Sequence, residues 1–347
     1  DVSDQIHPVT RHFFAAAEEL GHPRCPDCNG DAPEGATAYR ITTRFGRRDS
    51  SARAFLAPAL SRDNLHVLTH ARVERIGFEG RRAVSVAYRR GGRVHEARAR
   101  GEIVLAAGAV ASPQILQLSG VGAAERLSAH GIVPVLDAPD VGGHLQDHLG
   151  MSYGYRATEP TLNDQLAPWW GKLRAALCYA LSRRGPLALS VNQCGGFFRS
   201  DPRLNRPDQQ LYFNPVTYTT TPRGRRTVIH PDRFPGFVLG FSPTRPTSRG
   251  RIDIVSPDPA APPAIRPNSL ATAEDREAAV AGGRLCRALM RSRALSPLVA
   301  HTLDPRDLRE MDDDEILEDF RDRASTVFHP VGTCRMGADP AGSVVDP

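Results

Sequence analysis

The chain has 347 residues, of which 40% are hydrophobic and 24% charged, enough for one large or two ordinary soluble domains. No apolar run approaches about 18 residues, so no membrane-spanning helix is expected. The net charge of +5 comes from scattered arginines, and Lys172 is the only lysine. The sequence therefore has no G-x-x-x-x-G-K-[ST] phosphate loop, and without an aromatic-interleaved basic stripe nucleic-acid binding is not expected.

The six cysteines do not form a disulfide pattern, so a reducing cytoplasm is the expected location. Only Cys25 and Cys28, in C-P-D-C, have the spacing of metal ligands. Without a second pair this is at best half of a zinc site, and a plain loop is the preferred interpretation.

The first predicted elements are helices. Val9–Leu20 is amphipathic and ends at Gly21 and Pro23, and Arg53–Leu60 has Ser50 or Ser51 as its expected N-cap. Alternating apolar residues then predict four strands: His66–Thr69, Val73–Phe78, Arg82–Arg89 and Val94–Arg100.

The run EIVLAA, Glu102–Ala107, is continuously apolar after its first residue, which is typical of a strand buried on both faces. Gly108 follows, and a helix is expected to start near Ser112 as N-cap and Pro113 at its first position. A strand, a glycine turn and a helix form the crossover of an α/β nucleotide-binding domain, whose helix N-terminus receives phosphate. The nearby G-V-G-A-A-E over residues 120–125 follows a helix and lacks the third glycine, so it is rejected as a dinucleotide fingerprint.

After a short predicted strand at Gly131–Leu136, the pattern changes to grouped strands flanked by helices, which indicates an α+β domain. The predicted helices are Trp169–Ser182, Ala271–Met290 opened by Thr272, and Asp312–Ala324. The predicted strands are Cys194–Phe198, Gln209–Pro215, Phe237–Ser242 and Arg251–Val255.

Near the end of the chain, FHPVGTCRMG places His329 between a proline and two glycines. Pro330 restricts the backbone, and Gly332 permits a tight turn or close approach to a ligand. A titratable ring on such a rigid loop suits a general acid or base, although from these ten residues alone a structural histidine in a loop is the preferred interpretation.

Three stretches together resemble the glucose–methanol–choline (GMC) flavoprotein oxidoreductases, nearest to the choline- or alcohol-dehydrogenase-like branch. They are GAVASPQILQLSGVG over residues 108–122, VGGHLQDH over 141–148 with His144 in place of the usual Asn, and FHPVGTCRMG over 328–337 followed by VVDP. GRRDSS over 46–51 and RDNL over 62–65 agree with the same family.

The resemblance implies oxidation of a primary alcohol, either choline or an aliphatic or aromatic alcohol, with hydride transfer to FAD. The electron acceptor would be O2 or a quinone. If it is a quinone, the protein would attach to a membrane surface. His329 corresponds to the catalytic base. The implied cofactor-binding residues are Val73 beside the adenine, Ala107 and Gly108 bordering the cofactor, and Ser112 near its phosphates. Four further residues would line the substrate side, with ordinary strand packing as the alternative: Asn192, Tyr212, Phe213 and Asn214.

The implied fold is an incomplete α/β FAD-binding domain plus an α+β substrate domain built on a mainly antiparallel sheet. The predicted divisions are a substrate-side segment (1–35), a partial FAD domain (36–150), a substrate domain (151–325) and a catalytic-histidine segment (326–347). The family's N-terminal G-x-G-x-x-G and a second catalytic residue after V-V-D-P are missing, a pattern typical of a fragment lacking both termini. A cofactor-less interaction module and a flavin-bound hydroxynitrile lyase therefore stay open as alternatives.

Overall fold

A computed structural model describes residues 3–220, 229–339 and 341–347, which form two compact units. Unit 1 comprises Asp1–Ser61, Leu149–Arg245 and Arg276–Ser325, and unit 2 comprises Arg62–His148, Pro246–Asp275 and Thr326–Pro347. The chain thus crosses between the units several times. Residues 246–275, placed by the sequence interpretation in a substrate domain of residues 151–325, lie in unit 2.

The α-helices are α1 Arg11–Glu19, α2 Ala57–Ala59, α3 Gly108–Leu118, α4 Ala124–Ala129, α5 Leu162–Leu166, α6 Trp169–Ser182, α7 Ala273–Arg291 and α8 Asp313–Arg323. The strands are β1 Gly35–Ala38, β2 Thr43–Arg44, β3 Arg47–Arg48, β4 Arg72–Glu79, β5 Arg82–Arg90, β6 Arg93–Arg98, β7 Val121–Gly122, β8 Leu136–Asp137, β9 Leu149–Ala157, β10 Cys194–Phe198, β11 Gln209–Asn214, β12 Tyr218–Thr220, β13 Ile229–Pro231, β14 Gly236–Pro243, β15 Arg251–Asp253, β16 Ala264–Arg266, β17 Val299–Thr302 and β18 Ser325–Thr326. A single π-helical turn, Ala52–Leu56, precedes α2.

Unit 1 is built on an antiparallel sheet in the order β1-β10-β11-β14-β9-β17. Its core contains a chain of aromatic rings contributed by β9, β11, β14 and α1. The Phe237 ring lies 5.5 Å from Tyr155 and 5.3 Å from Phe213, and Phe213 lies 5.5 Å from Phe13 of α1. These side chains are fully buried, so the helix and the sheet share one apolar core.

Unit 2 contains the antiparallel sheet β4-β5-β6, the parallel pair β7-β8 and the hairpin β15-β16. Helix α3 lies against β4, where the Ile76 N–H donates to Ser119 Oγ at 2.8 Å. The buried Gln117 side chain bonds three backbone groups, those of Val141, Ile252 and Ile254, at 2.8–3.2 Å. Gln117 therefore ties α3 to two other segments of the unit.

Many predicted elements are confirmed. The predicted helix Trp169–Ser182 has the observed bounds, and the predicted helix Asp312–Ala324 corresponds to α8. Asp312 caps α8 in a capping box with Glu315. Thr272 also opens α7, since its Oγ1 accepts the Asp275 N–H at 3.3 Å. Strand β10 has the predicted bounds, and β11 and β14 differ from prediction by one residue at their ends.

Two of the predicted strands are wrong. Glu102–Ala107 and His66–Thr69 are irregular, have no ladder partner within the described chain, and expose much of their surface, including 78% of Val104. An apolar run favours burial, but a strand also needs a neighbour for its backbone groups. The predicted strand Gly131–Leu136 is wrong except for its last residue, which begins β8.

The predicted start of α3 is also wrong. The helix begins at Gly108 with Ala107 as N-cap, so Ser112 is a buried residue inside it, not its cap. Pro113 lies inside the helix, where it cannot supply an N–H to the carbonyl four residues earlier. The sequence interpretation placed this proline at the first helical position because that position is where a missing N–H costs nothing.

None of the described helices is both long and apolar enough to cross a membrane. All six cysteines are free thiols. Within the described ranges, no group of three or more metal-ligating side chains is assembled, at Cys25 and Cys28 or elsewhere.

Candidate functional site

The loop that carries His329 lies along the stretch 141–148 in unit 2. Gln146 and Val331 exchange both backbone hydrogen bonds, at 3.0 and 2.9 Å, and the Val327 N–H donates to the His148 carbonyl at 3.2 Å. Two motifs separated by about half of the sequence are therefore joined by backbone pairing, which fixes the course of the chain on both sides of His329.

The Asp147 carboxylate holds the turn before this histidine. One oxygen accepts the His329 N–H at 2.9 Å, and the other accepts the Thr326 hydroxyl, whose oxygen in turn accepts the Phe328 N–H at 2.9 Å. Phe328 has φ +63°, an unfavourable value for a large side chain. Asp147 and Thr326 supply the hydrogen bonds that stabilise this conformation.

Gly332 and His144 explain two details of the motifs. Gly332 has φ +95°, and a Cβ there would lie 2.2 Å from the His144 carbonyl oxygen, so only glycine fits. His144 itself has φ +57°, a conformation for which both Asn and His are enriched. Its Nε2 lies 2.7 Å from Asp140 Oδ1, so this histidine is a local structural residue.

Thr333 connects the histidine loop to α3. Its hydroxyl donates to the Ala109 carbonyl at 2.6 Å, and its carbonyl accepts the Gly142 N–H at 2.9 Å. Ala109 is four residues before Pro113, so its carbonyl is the one that the proline leaves without a helical donor. The hydroxyl group of the buried Thr333 supplies that donor. Through its bonds to Ala109 and Gly142, Thr333 brings all three motifs together.

The His329 side chain is exposed, and its ring lies 5.6 Å from the His148 ring in an edge-to-face arrangement. An accessible imidazole on a fixed backbone can accept or donate a proton to a small molecule. Burial raises the pKa of the Cys334 thiol, so this neighbouring residue stays protonated and is a poor nucleophile. The arrangement allows acid–base chemistry at His329.

The four residues implied as cofactor-binding all lie in unit 2. Ala107 and Gly108 are exposed at the start of α3, whereas Ser112 is buried one turn further along. Val73 lies on β4, which is an edge strand in the described part of the sheet. The hydrogen bonds described above bring α3 and the histidine loop together, and Val73 lies on the strand against which α3 packs.

The four residues implied on the substrate side lie in unit 1 and have different environments. Phe213 belongs to the aromatic core, and Tyr212 donates its hydroxyl proton to Gln210 Oε1 at 2.9 Å. The backbone N–H of Asn192 is bonded within its own turn, to Ser190 Oγ. Asn214 differs, because its Oδ1 is buried without a hydrogen-bond partner among the described residues. Packing accounts for Phe213, and Asn214 has a buried acceptor without a partner among the described residues.

The sequence interpretation quoted Asp147 and Thr333 within motifs but assigned neither a role. Their functions depend on hydrogen bonds to residues 182 and 224 positions away. The only local signal was Pro113. Once the helix is known to start at Gly108, this proline shows that the Ala109 carbonyl has no helical N–H donor.

Relatives with known names match along the whole chain. An alcohol dehydrogenase [acceptor] from Pseudomonas putida is 38% identical over 350 residues, covering 100% of this chain and 62% of the relative. An oxygen-dependent choline dehydrogenase from Pseudomonas syringae pv. tomato is 38% identical over 345 residues, covering 98% of this chain and 59% of the relative. The chain thus spans about three fifths of the length of these relatives.

Solved structures share the fold. Pyridoxine 4-oxidase from Mesorbium loti has a TM-score of 0.82 and 29% identity, covering 99% of this chain and 62% of that one. An Aspergillus oryzae formate oxidase, studied for FAD modification, has a TM-score of 0.84 and 23% identity, covering 98% of this chain and 63% of that one. FAD is the cofactor of this fold family.

Sequence models described as GMC oxidoreductase match residues 1–150 and 246–347, more than half of the chain. These ranges include all three motifs that meet around Thr333 in unit 2. The exposed histidine, the backbone pairing that fixes it and the helix beginning at Gly108 all belong to the matched ranges. The chain therefore belongs to the GMC oxidoreductase family.

Proposed function

We propose that this chain contributes the catalytic histidine and part of the FAD site of an enzyme that oxidises a primary alcohol to its aldehyde. The observation that carries the proposal is the exposed His329 imidazole on a backbone fixed by Asp147 and Thr333. The names of the relatives support alcohols as the substrate class.

His329 is the proposed base. Its imidazole takes the hydroxyl proton as the carbon-bound hydrogen leaves with two electrons as hydride, so the alcohol becomes an aldehyde with atoms and charge balanced. FAD, when bound, supplies the hydride acceptor. The fixed backbone limits the positions that the imidazole can take, which lowers the entropic cost of placing it against the alcohol.

Residues in unit 2 fit the cofactor. Gly108 has φ +81°, and no atom lies within 4 Å of where a Cβ would be, so the start of α3 is open for the close approach of an anionic group. The Ala107 and Gly108 backbone would face the cofactor, and the edge strand β4 at Val73 would lie beside the adenine. Ser112 would act from inside the helix, not through a cap.

The proposed substrate is choline or an aliphatic or aromatic primary alcohol, and the proposed electron acceptor is O2 or a quinone. The two named relatives represent these possibilities, one as an alcohol dehydrogenase [acceptor] and the other as an oxygen-dependent choline dehydrogenase.

Anaerobic mixing of the FAD-loaded protein with choline, a short aliphatic alcohol and benzyl alcohol tests this proposal. We expect at least one alcohol to bleach the visible flavin absorbance and to yield one aldehyde per flavin. If a complete enzyme that contains this chain bound no FAD, the result would contradict the proposal in favour of an interaction module. A protein that binds FAD and cleaves cyanohydrins without flavin bleaching would instead be a lyase.

Replacing Thr333 by valine is expected to lower kcat by about tenfold and to reduce stability by about 1–3 kcal/mol, because the Ala109 carbonyl loses its donor while the side-chain volume is kept. Thr333→Ser keeps the hydroxyl and should restore most of kcat. The measurement is kcat and KM for the best alcohol, with bound flavin quantified. A purely structural role would lower the active fraction and leave kcat per bound flavin unchanged in both variants.

A further inference from the structure

Helix α6 presents its apolar residues to the outside. The fully or nearly buried residues of this 14-residue helix are small, Gly171 and Ala175. A Cβ on Gly171 would lie 2.0 Å from the Gln165 carbonyl oxygen, so the inner face packs directly onto the end of α5. The inner face therefore leaves no room for large side chains.

The large apolar residues of α6 recur three or four positions apart and form one outer stripe. Each is more than half exposed, with Trp169 at 76% and Leu181 at 86%. The stripe consists of Trp169, Trp170, Leu173, Leu177 and Leu181. A surface helix ordinarily turns such a stripe inward, so an outward stripe indicates an interaction surface.

The charges around this stripe are basic. From residue 165 to residue 200 the sequence has no Asp or Glu. Lys172 and Arg174 are exposed and form no ion pair among the described residues, and the Arg183 guanidinium stacks on Tyr179 at 4.9 Å. Arg184 pairs with Asp4. The nearest preceding acid, Asp164, accepts the Thr161 N–H at 2.7 Å as part of the α5 capping box.

A second exposed element adjoins the end of the helix. The turn between β2 and β3 contains Phe45, which is 88% exposed, and Gly46, where a Cβ would lie 2.1 Å from the Arg183 carbonyl. Arg47 and Arg48 follow this turn and are also exposed. The α6 stripe thus continues into another aromatic residue with arginines beside it.

We propose that the α6 stripe, with the Phe45 turn, inserts into the interface of an anionic phospholipid membrane. A helix with Trp and Leu on one face and Lys and Arg beside them is the pattern of a helix that lies in the headgroup region. Tryptophan favours this boundary, and the long basic side chains reach anionic phosphates while their stems cover apolar surface.

The charge pattern favours a lipid surface over a second copy of this chain. A symmetric dimer through the stripe would place each patch against its own copy and bring Lys172 and Arg174 toward like charges. An anionic membrane offers the complementary sign. The proposal is independent of the proposed function, because it rests on the surface of unit 1 and not on His329.

Vesicle flotation of the purified FAD-loaded protein tests the proposal. We expect flotation with vesicles of phosphatidylcholine containing about one third phosphatidylglycerol, much less with phosphatidylcholine alone, and a decrease at high salt. The Leu177→Asp/Leu181→Asp variant should lose at least about tenfold in vesicle affinity, since charge replaces inserted apolar surface. Both positions are exposed, so the substitution leaves the packed core intact.

Two further variants complete the experiment. Lys172→Glu/Arg174→Glu should abolish the preference for anionic vesicles. Val133→Asp, which changes an 81% exposed apolar residue of unit 2, is the matched control and should float like the wild type. Absence of wild-type flotation, or equal flotation of the Leu177→Asp/Leu181→Asp variant, would overturn the proposal. A dimer in light scattering that this variant dissociates, without vesicle binding, would assign the stripe to a second copy.

Discussion

Replacing His329 by alanine is expected to lower kcat for alcohol oxidation by about 100- to 10,000-fold, the usual contribution of a positioned general base. The imidazole is exposed, and the Asp147 contact is made by the backbone N–H, which alanine retains. The loop and the bound flavin should therefore be unaffected. His329→Gln keeps a polar side chain but no proton acceptor of comparable basicity, and should be similarly slow.

The measurement is the rate of flavin reduction under single-turnover conditions, together with the flavin content of each variant. His95→Ala is the matched control, since that ring is exposed on β6 and stacks on Tyr88 at 5.4 Å. It should reduce flavin at the wild-type rate. If His329→Ala kept flavin reduction within a factor of about three of wild type, His329 could not be the base.

Replacing Phe237 by alanine is expected to destabilise unit 1 by about 3–5 kcal/mol. The ring is fully buried between Tyr155 and Phe213, with which it stacks at interplanar angles of 24° and 23°. Removing it deletes apolar contact on both sides and leaves a cavity in the middle of the sheet, where the backbone pairing of β9, β11 and β14 prevents collapse.

Chemical denaturation followed by near-ultraviolet circular dichroism measures this loss. Phe55→Ala makes the same chemical change at a residue that is 76% exposed, and should cost less than about 0.5 kcal/mol. A loss below about 1 kcal/mol for Phe237→Ala would show that the aromatic stack is not the principal core of the unit.

Strand prediction succeeded in the central sheet of unit 1, where short apolar runs lie between loops rich in proline and arginine. In β11 and β14 the apolar residues are regular enough to predict both strands to within one residue at each end. Strand β9 has buried Met151, Tyr153 and Tyr155 at alternate positions, yet it was not predicted. Gly150 and Gly154 lower its strand propensity, so its order comes from pairing with β14 and β17.

The sequence by itself determined the family, the antiparallel character of the larger sheet and the identity of His329 as the candidate base. Three local motifs carry the resemblance to the family, and that resemblance implied the antiparallel sheet and the role of His329. Only the tertiary structure decided that α3 begins at Gly108, that Asp147 and Thr333 hold the histidine loop, and that α6 turns its apolar face outward. The physical reason is that these features depend on partners far along the chain. Pro113 is stable inside α3 because Thr333, 224 residues beyond Ala109, supplies the missing donor, and no local pattern encodes that contact.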